Sequence, residues 1–360
     1  MLYNLLYGLH NWFSPLNVFR YITFRTSLAV LTAMVFALLL GPWIINKLKK
    51  LSMTQQIRDD GPKTHMGKAG TPTMGGLLII LCILLAVLMW GDLKNLYIWV
   101  MIVSLVGFGA IGLFDDYLKI VRKNHKGLRA YQKFGSQVIL ALAIGIFLYM
   151  NPKDQYADVL IIPFFKKWLF DFGWLYIPFS LIVIVGSSNA VNLTDGIDGL
   201  AIGLVAVAIL ANGVLVYISG HKGLAQYLQV LYLPGTGELT VFCGAMFGAS
   251  LGFLWFNSYP ADVFMGDIGS LGLGGSLGTL AIITKHEIVL AIVGGIFVIE
   301  TISVMLQVAS FKLTGRRVFK MAPIHHHFEL KGWPEPKVII RFWIVGIMLA
   351  LLSLATLKVR

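Results

Sequence analysis

Ser188–Ala201 reads SNAVNLTDGIDGLA and places Asn189, Asn192, Asp195 and Asp198 at every third position. On helical turns that spacing brings side chains to roughly one face. Gly196 and Gly199 interrupt the run and let the backbone bend toward a ligand. Apolar runs flank it on both sides, Leu175–Val185 and Leu200–Ile218, and no Lys or Arg occurs between Lys167 and Lys222. Two carboxylates and two amides therefore stand at the joint of two hydrophobic segments. Acid left uncompensated there is costly, so a cationic partner is expected: a divalent metal ion, or the donors of a polar substrate.

Other groups in the chain ask for the same partner. Asp115 and Asp116 are adjacent, and like charges so placed need a metal ion or a base to neutralise them. Neighbours on a helix diverge by about 100°, so the two are expected to serve different partners. Lys119, four residues after Asp115, offers the plainer account of an intrahelical ion pair. FNSYPADVFMGDIGSLGLGG at 256–275 carries Asn257, Asp262 and Asp267 with no basic residue. Asp267 stands between Gly266 and Gly269 just before an apolar run, which suits a helix N-cap or a metal ligand with room for its ion. Phe264 could stack on a flat ring. RDDGPKTHMGKAGTPTMGG at 58–76 is a turn region in which Lys68 and Thr73 are the candidates to touch an anion, because glycine lets backbone approach closely. APIHHHFELKGWPEP at 322–336 holds three consecutive histidines, which cannot all face one metal from a regular element; from a Pro-bounded loop one or two could donate to phosphate. Glu300 and Gln307, seven apart in an apolar run, share a face and read as packing partners.

The elements that must position these residues are membrane spans. Mean hydropathy is +0.79, with 57% hydrophobic and 13% charged residues, whereas soluble domains carry about 25% charge. Ten apolar blocks approach the length of about 20 residues that crosses a bilayer as helix: 22–45, 73–90, 96–113, 134–150, 175–188, 200–218, 239–256, 268–283, 288–309 and 338–357. The fifth and eighth are short, and the eighth is glycine-rich, so one of the two is a candidate for a re-entrant or broken segment. Residues 1–20 lack the basic start and compact apolar core of a cleavable signal peptide and suit a helix lying at the interface. Loops 46–72, 114–133 and 310–337 hold six Lys or Arg each; 91–95, 219–238 and 284–287 hold one each. The positive-inside rule then makes 46–72, 114–133, 186–199, 257–267 and 310–337 cytoplasmic and both termini periplasmic. The net charge of +12 is accounted for by topology and anionic lipid, without nucleic acid as a partner. Cys82 and Cys243 lie inside apolar runs and read as buried thiols, not a disulfide. The expected fold is an all-α polytopic membrane protein of about ten transmembrane helices, one domain over 1–360, whose five cytoplasmic loops form an active-site cleft.

The aspartates and asparagines of those loops are hard oxygen ligands, with lysines and histidines as phosphate donors around them. That combination suits Mg²⁺ and phosphoryl transfer at headgroup level. The absence of a Walker A sequence excludes a P-loop ATPase. An ion-coupled transporter also places carboxylates among broken spans, but near the midplane; here five aspartates lie at span ends and only Glu300 fits that pattern.

DDYLK at 115–119, NAVNLTDGIDGLA at 189–201, FNSYPADVFMGDIGSL at 256–271 and APIHHHFELKGWPEP at 322–336 resemble the polyprenyl-phosphate N-acetylhexosamine-1-phosphate transferases. The likeness covers essentially the whole chain, and the histidine loop and GPKTHMGKAGTPTMGG are similar to the phospho-N-acetylmuramoyl-pentapeptide transferase branch. The resemblance implies a Mg²⁺-dependent enzyme of the bacterial inner membrane. It would move phospho-MurNAc-pentapeptide from UDP-MurNAc-pentapeptide to undecaprenyl phosphate, giving lipid I and UMP. Asp267 takes the place of the metal ligand, and Asp115 and Asp116 that of the essential acidic pair. A base role for Asp115 is not required, since a phosphomonoester with a second pKa near 6 is mostly dianionic at pH 7. Lys68, Asn192, Asp195, Asp198, Asn257 and Phe264 match the nucleoside pocket, with Thr73, Lys119 and His325 beside it on the substrate. His326 and His327 match catalytic donors near the sugar or diphosphate. Homodimers and inhibition by nucleoside antibiotics are further implications. A UDP-GlcNAc-1-phosphate transferase acting on the same lipid is the alternative within the superfamily.

Overall fold

The computed structural model describes residues 2–51, 70–121, 127–153, 156–163 and 169–357. Lys68 lies outside the described residues. The chain opens with a short helix, α1 (Leu2–Gly8), and 3-10 turns over 9–11 and 14–20. Long helices follow: α2 (Ile22–Lys50), α3 (Gly76–Trp90), α4 (Leu96–Val121), α5 (Ala130–Met150), α6 (Tyr176–Thr194) and α7 (Leu200–Gly220). After the short α8 (Lys222–Leu228) come α9 (Leu239–Asn257), α10 (Gly266–Thr284), α11 (Glu287–Val293), α12 (Gly295–Thr314), α13 (Ile324–Glu329) and α14 (Glu335–Ala355). Among the described residues nine helices are long and apolar enough to cross a membrane, and α3 is a shorter apolar helix of 15 residues. The all-α polytopic fold is thus as expected, apart from a small antiparallel hairpin, β1 (Val159–Ile161) with β2 (Leu169–Asp171).

Three expectations about spans need correction. The fifth and eighth blocks are not broken: α6 and α10 are continuous helices of 19 residues each. The break falls instead in the ninth block, between α11 and α12 at Gly294. The second span begins at Gly76 and not at 73. Residues 72–76 run beside the loop before α10, where Phe264 N donates to Pro72 O (2.8 Å), Gly75 N to Phe264 O (2.9 Å) and Gly76 N to Met265 O (2.9 Å).

Glycine in α10 serves close packing. A helix apolar all round belongs in the interior, and α10 is buried along nearly its whole length against α4, α6 and α3. A Cβ on Gly76 would lie 2.1 Å from Gly269 N, and one on Gly112 would lie 2.2 Å from Asp267 O. Those two backbones pass so close that only hydrogen fits between them.

Side chains knit each end of the bundle. At one end Gly199 N donates to Asn257 Oδ1 (3.0 Å), Asp198 N to Glu335 Oε1 (3.0 Å) and Ala261 N to Asp198 Oδ2 (3.0 Å). The α6–α7 turn, the loop before α10 and the start of α14 are thereby joined. At the other end the buried Arg25 guanidinium pairs with Glu238 and donates to Trp90 O (3.1 Å), while Asp92 N donates to Glu238 Oε1 (2.7 Å). Cys82 and Cys243 are buried free thiols, as expected.

Candidate active site

α4 continues two turns past its expected end and carries Asp115 and Asp116 on helical backbone. Asp115 Oδ1 accepts from Leu128 N (2.7 Å), and Asp116 Oδ2 accepts from Ile268 N (3.4 Å). Their backbone anchors differ, as the 100° divergence requires, yet their other oxygens meet. Asp115, Asp116 and Asp267 each offer a carboxylate oxygen, and all three lie within 4.8 Å of one another. Asp267 is not the N-cap of α10; Met265 holds that position and Asp267 lies in the first helical turn, where the helix dipole favours a negative charge. Its Oδ1 accepts from Asn192 Nδ2 (2.6 Å), which also reaches Ser270 Oγ (2.8 Å). Its Oδ2 accepts from Lys119 (2.7 Å) and Lys133 (2.8 Å). Lys119 does form the i,i+4 pair with Asp115 (2.8 Å), but it reaches across to α10 as well.

The three-residue spacing from Asn189 does not continue as one face. α6 ends at Thr194, Asp195 is its C-cap, and Gly199 has a left-handed φ of 76°. Asn189 binds Gln137 Oε1 (2.6 Å) inside the bundle. Asn192 is the member that joins the acidic group. Asp195 faces Asp267, Asp116 and Asp198, and burial with these like charges pushes its carboxyl up to about 8. Asp198 and Asn257 are buried, and their side chains hold backbone of the cleft wall: Asn257 also donates to Val263 O (2.8 Å). Thr73 lies beside Gly266, with its Oγ1 2.9 Å from where a Cβ there would stand. Phe264 is half-buried on the 72–76 segment.

Asp195 has a testable consequence. An ordinary Asp titrates near 3.9; between there and about 8 the folded protein holds a proton that the unfolded chain has released. Stability from this group therefore falls as pH rises through that window. Without divalent cation, the melting temperature should decline from pH 5 to 8 more steeply in the parent than in Asp195→Asn. Parallel profiles would refute the shift.

The histidines form a helical turn, α13, from which His325 and His326 lean toward Gly196 while His327 turns to Lys320. His325 is fully buried, its Nδ1 3.1 Å from Glu300 Oε1, so Glu300 does more than pack. His326 Nδ1 meets Glu329 Oε2 at 2.6 Å, and both its Nε2 and that of His325 approach Gly196, beside Asp195. His327 Nδ1 accepts from Lys320 N (3.0 Å). Burial, Lys331 and Lys320 hold the His327 ring below its usual pKa, so it is neutral at pH 7 with Nε2–H as donor. Gln307 clamps the preceding loop through Val318 N, Phe319 N and Phe319 O. Sequence reasoning missed Lys133, Ser270, Glu329 and Glu335. For Lys133 a signal existed: it is the lysine of the first turn of a span whose start shares a side with Asp115.

Oxygens on one octahedral Mg²⁺ stand about 3 to 4.2 Å apart for ligand bonds of 2.0–2.1 Å. The three carboxylates are hard donors whose oxygens lie within 4.8 Å of one another, a little wider than that spacing.

Residues 98–285 match glycosyl transferase family 4, and residues 68–80 match phospho-N-acetylmuramoyl-pentapeptide-transferase signature 1. A phospho-N-acetylmuramoyl-pentapeptide-transferase of Thermodesulfovibrio yellowstonii is 67% identical over 100% of both chains. The chain belongs to the phospho-N-acetylmuramoyl-pentapeptide-transferase family. Family members of that name from Citrifermentans bemidjiense and a Geobacter species are each 56% identical, again over 100% of both chains. The glycosyl transferase match spans α4 to α10, which carry Asp115, Asp116, Lys119, Lys133, Asn192 and Asp267. The signature covers Thr73 and the segment paired with Phe264.

Proposed function

We propose that the chain transfers phospho-MurNAc-pentapeptide from UDP-MurNAc-pentapeptide to undecaprenyl phosphate, forming lipid I and releasing UMP. The observation that carries it is the meeting of Asp115, Asp116 and Asp267 with two lysines at the basic-loop end of a helical bundle. Family membership supplies the substrate class. An acceptor phosphate oxygen attacks the phosphorus joined to MurNAc, and the bond to the UMP oxygen breaks with its electron pair. The acceptor is mostly dianionic at neutral pH, so no residue has to remove a proton first.

Asp267, with Asp115 and Asp116, would hold Mg²⁺, which neutralises diphosphate charge when bound. Asn192 fixes the Asp267 carboxylate, and Leu128 N fixes that of Asp115. Lys119 and Lys133 supply mobile positive charge for phosphate oxygens. His326, oriented by Glu329, and His327 would supply imidazole nitrogens from α13. The lipid chain would lie in an apolar groove of about 330 Å³ between α6, α10, α11 and α12, lined by Ile182, Val183, Leu290, Phe297 and Ile302. It reaches Ser187 and Ala190, close along α6 to Asn192. Basic loops on the same side as the acidic group support a site facing the cytoplasm from the bacterial inner membrane.

The assay presents detergent-solubilised protein with undecaprenyl phosphate, Mg²⁺ and either UDP-MurNAc-pentapeptide or UDP-GlcNAc. UMP release from the first alone is expected. Release only from UDP-GlcNAc would overturn the muramoyl-peptide assignment.

A further inference from the structure

The acidic group already contains a cation of its own. Lys119 Nζ lies 2.8 Å from Asp115 Oδ2, 3.3 Å from Asp116 Oδ1 and 2.7 Å from Asp267 Oδ2, so one ammonium touches all three carboxylates. Lys133 Nζ stands 2.8 Å from the same Asp267 oxygen and 3.4 Å from Asp115 Oδ2. Two ammoniums sharing one oxygen repel each other, and the carboxylates hold them there. The anchoring is one-sided. The aspartate side chains are 4%, 5% and 14% exposed, and Leu128 N, Ile268 N and Asn192 fix them, whereas the Lys119 side chain is 35% exposed and Lys133 20%. The acids are the rigid part of the group. The lysines, on long flexible stems, are the part that can leave.

We propose that Lys119 is a displaceable internal counter-ion: its ammonium stands where a divalent cation would bind, and cation binding moves it, with Lys133, onto the diphosphate of the nucleotide. This rests on the metal reading of the preceding section. Lys119 then lowers the affinity for a divalent ion when no nucleotide is present. A bound diphosphate offers the displaced ammoniums new oxygens, so cation and nucleotide strengthen each other's binding, reciprocally as linkage requires. The lysines thereby suppress a loosely held metal ion and favour its arrival with substrate.

The test uses full-length protein in detergent with Mn²⁺ as the probe, its bound fraction read by electron paramagnetic resonance and corrected for the Mn²⁺–UDP complex in solution. Without nucleotide, Lys119→Met should bind Mn²⁺ about tenfold more tightly than the parent, within the usual range of coupling between sites. UDP should raise the affinity of the parent, and most of that gain should vanish in the variant. In chelator Lys119→Met should melt lower than the parent and regain more on adding Mn²⁺. Lys133→Met leaves Lys119 to neutralise the acids and should show the same changes at smaller amplitude, which covers a Lys119 variant that fails to fold. Unchanged or weaker Mn²⁺ binding in both lysine variants, with Asp267→Asn abolishing it, would overturn the counter-ion role and leave the metal site standing. Parental Mn²⁺ binding in Asp267→Asn would remove the metal site and the inference together.

Discussion

Asp267→Asn is expected to lose turnover by a factor on the order of 10³ or more while remaining folded, since removing one well-placed electrostatic partner of a transition state already costs about 10²–10³. The substitution keeps shape and removes charge. Oδ1 of the new amide can still accept from Asn192, whose donation at 2.6 Å currently fixes the carboxylate. The other end of the amide becomes a donor facing Lys119 and Lys133, which now sit at 2.7 and 2.8 Å from an acceptor. Both lysines must withdraw, and the three-carboxylate group loses the member contributed by α10. UMP release per folded molecule measures the effect, with the melting temperature as the control for folding. Turnover at the parental rate would show that the acidic group is not where the chemistry happens.

Gly112→Ala should damage both stability and rate, although glycine to alanine usually favours a helix. The added Cβ would lie 2.2 Å from Asp267 O, 2.4 Å from Asp267 C and 2.6 Å from Ile268 N. All three atoms are backbone, so no rotamer change relieves the overlap; α4 and α10 must separate. Overpacking of this kind costs about 1–3 kcal/mol, occasionally more. The displaced residue is Asp267 itself, and a shift of about 1 Å at a reacting group can cost 10²-fold in rate. Gly135→Ala on α5 is the matched control: a Cβ there meets nothing within 4 Å, so stability should hold or rise by about 0.4–1 kcal/mol. Melting temperature and UMP release on the two variants distinguish local crowding from a general glycine effect. Equal behaviour would sink the close-packing account.

Much of this protein was legible in its sequence because the bilayer imposes a simple rule. Within lipid each backbone polar group must be satisfied inside its own segment, so apolar runs near 20 residues become helices. Basic loops then sort the ends. That logic located the ten apolar segments and collected Asp115, Asp195 and Asp267 on one side. Chemistry-bearing residue types in short quoted motifs carried the family likeness, which 67% identity to a named relative bears out.

Tertiary packing decided the rest. Hydropathy averages over a window, so it could not see that the glycine-rich eighth segment stays helical. Its glycines admit α3 and α4 at backbone contact, while the break falls at Gly294. A spacing of three suggested one polar face for Asn189, Asn192, Asp195 and Asp198; the helix ends at Thr194, so Asn189 bonds Gln137 inside the bundle, Asn192 and Asp195 face Asp267, and Asp198 holds backbone of the cleft wall. Lys133 is 134 positions from Asp267 at its bond and 18 from Asp115, separations at which no periodicity links two side chains. Only the crossing of α4, α5, α6 and α10 brings those charges together, because partner choice between distant segments depends on which helix faces touch.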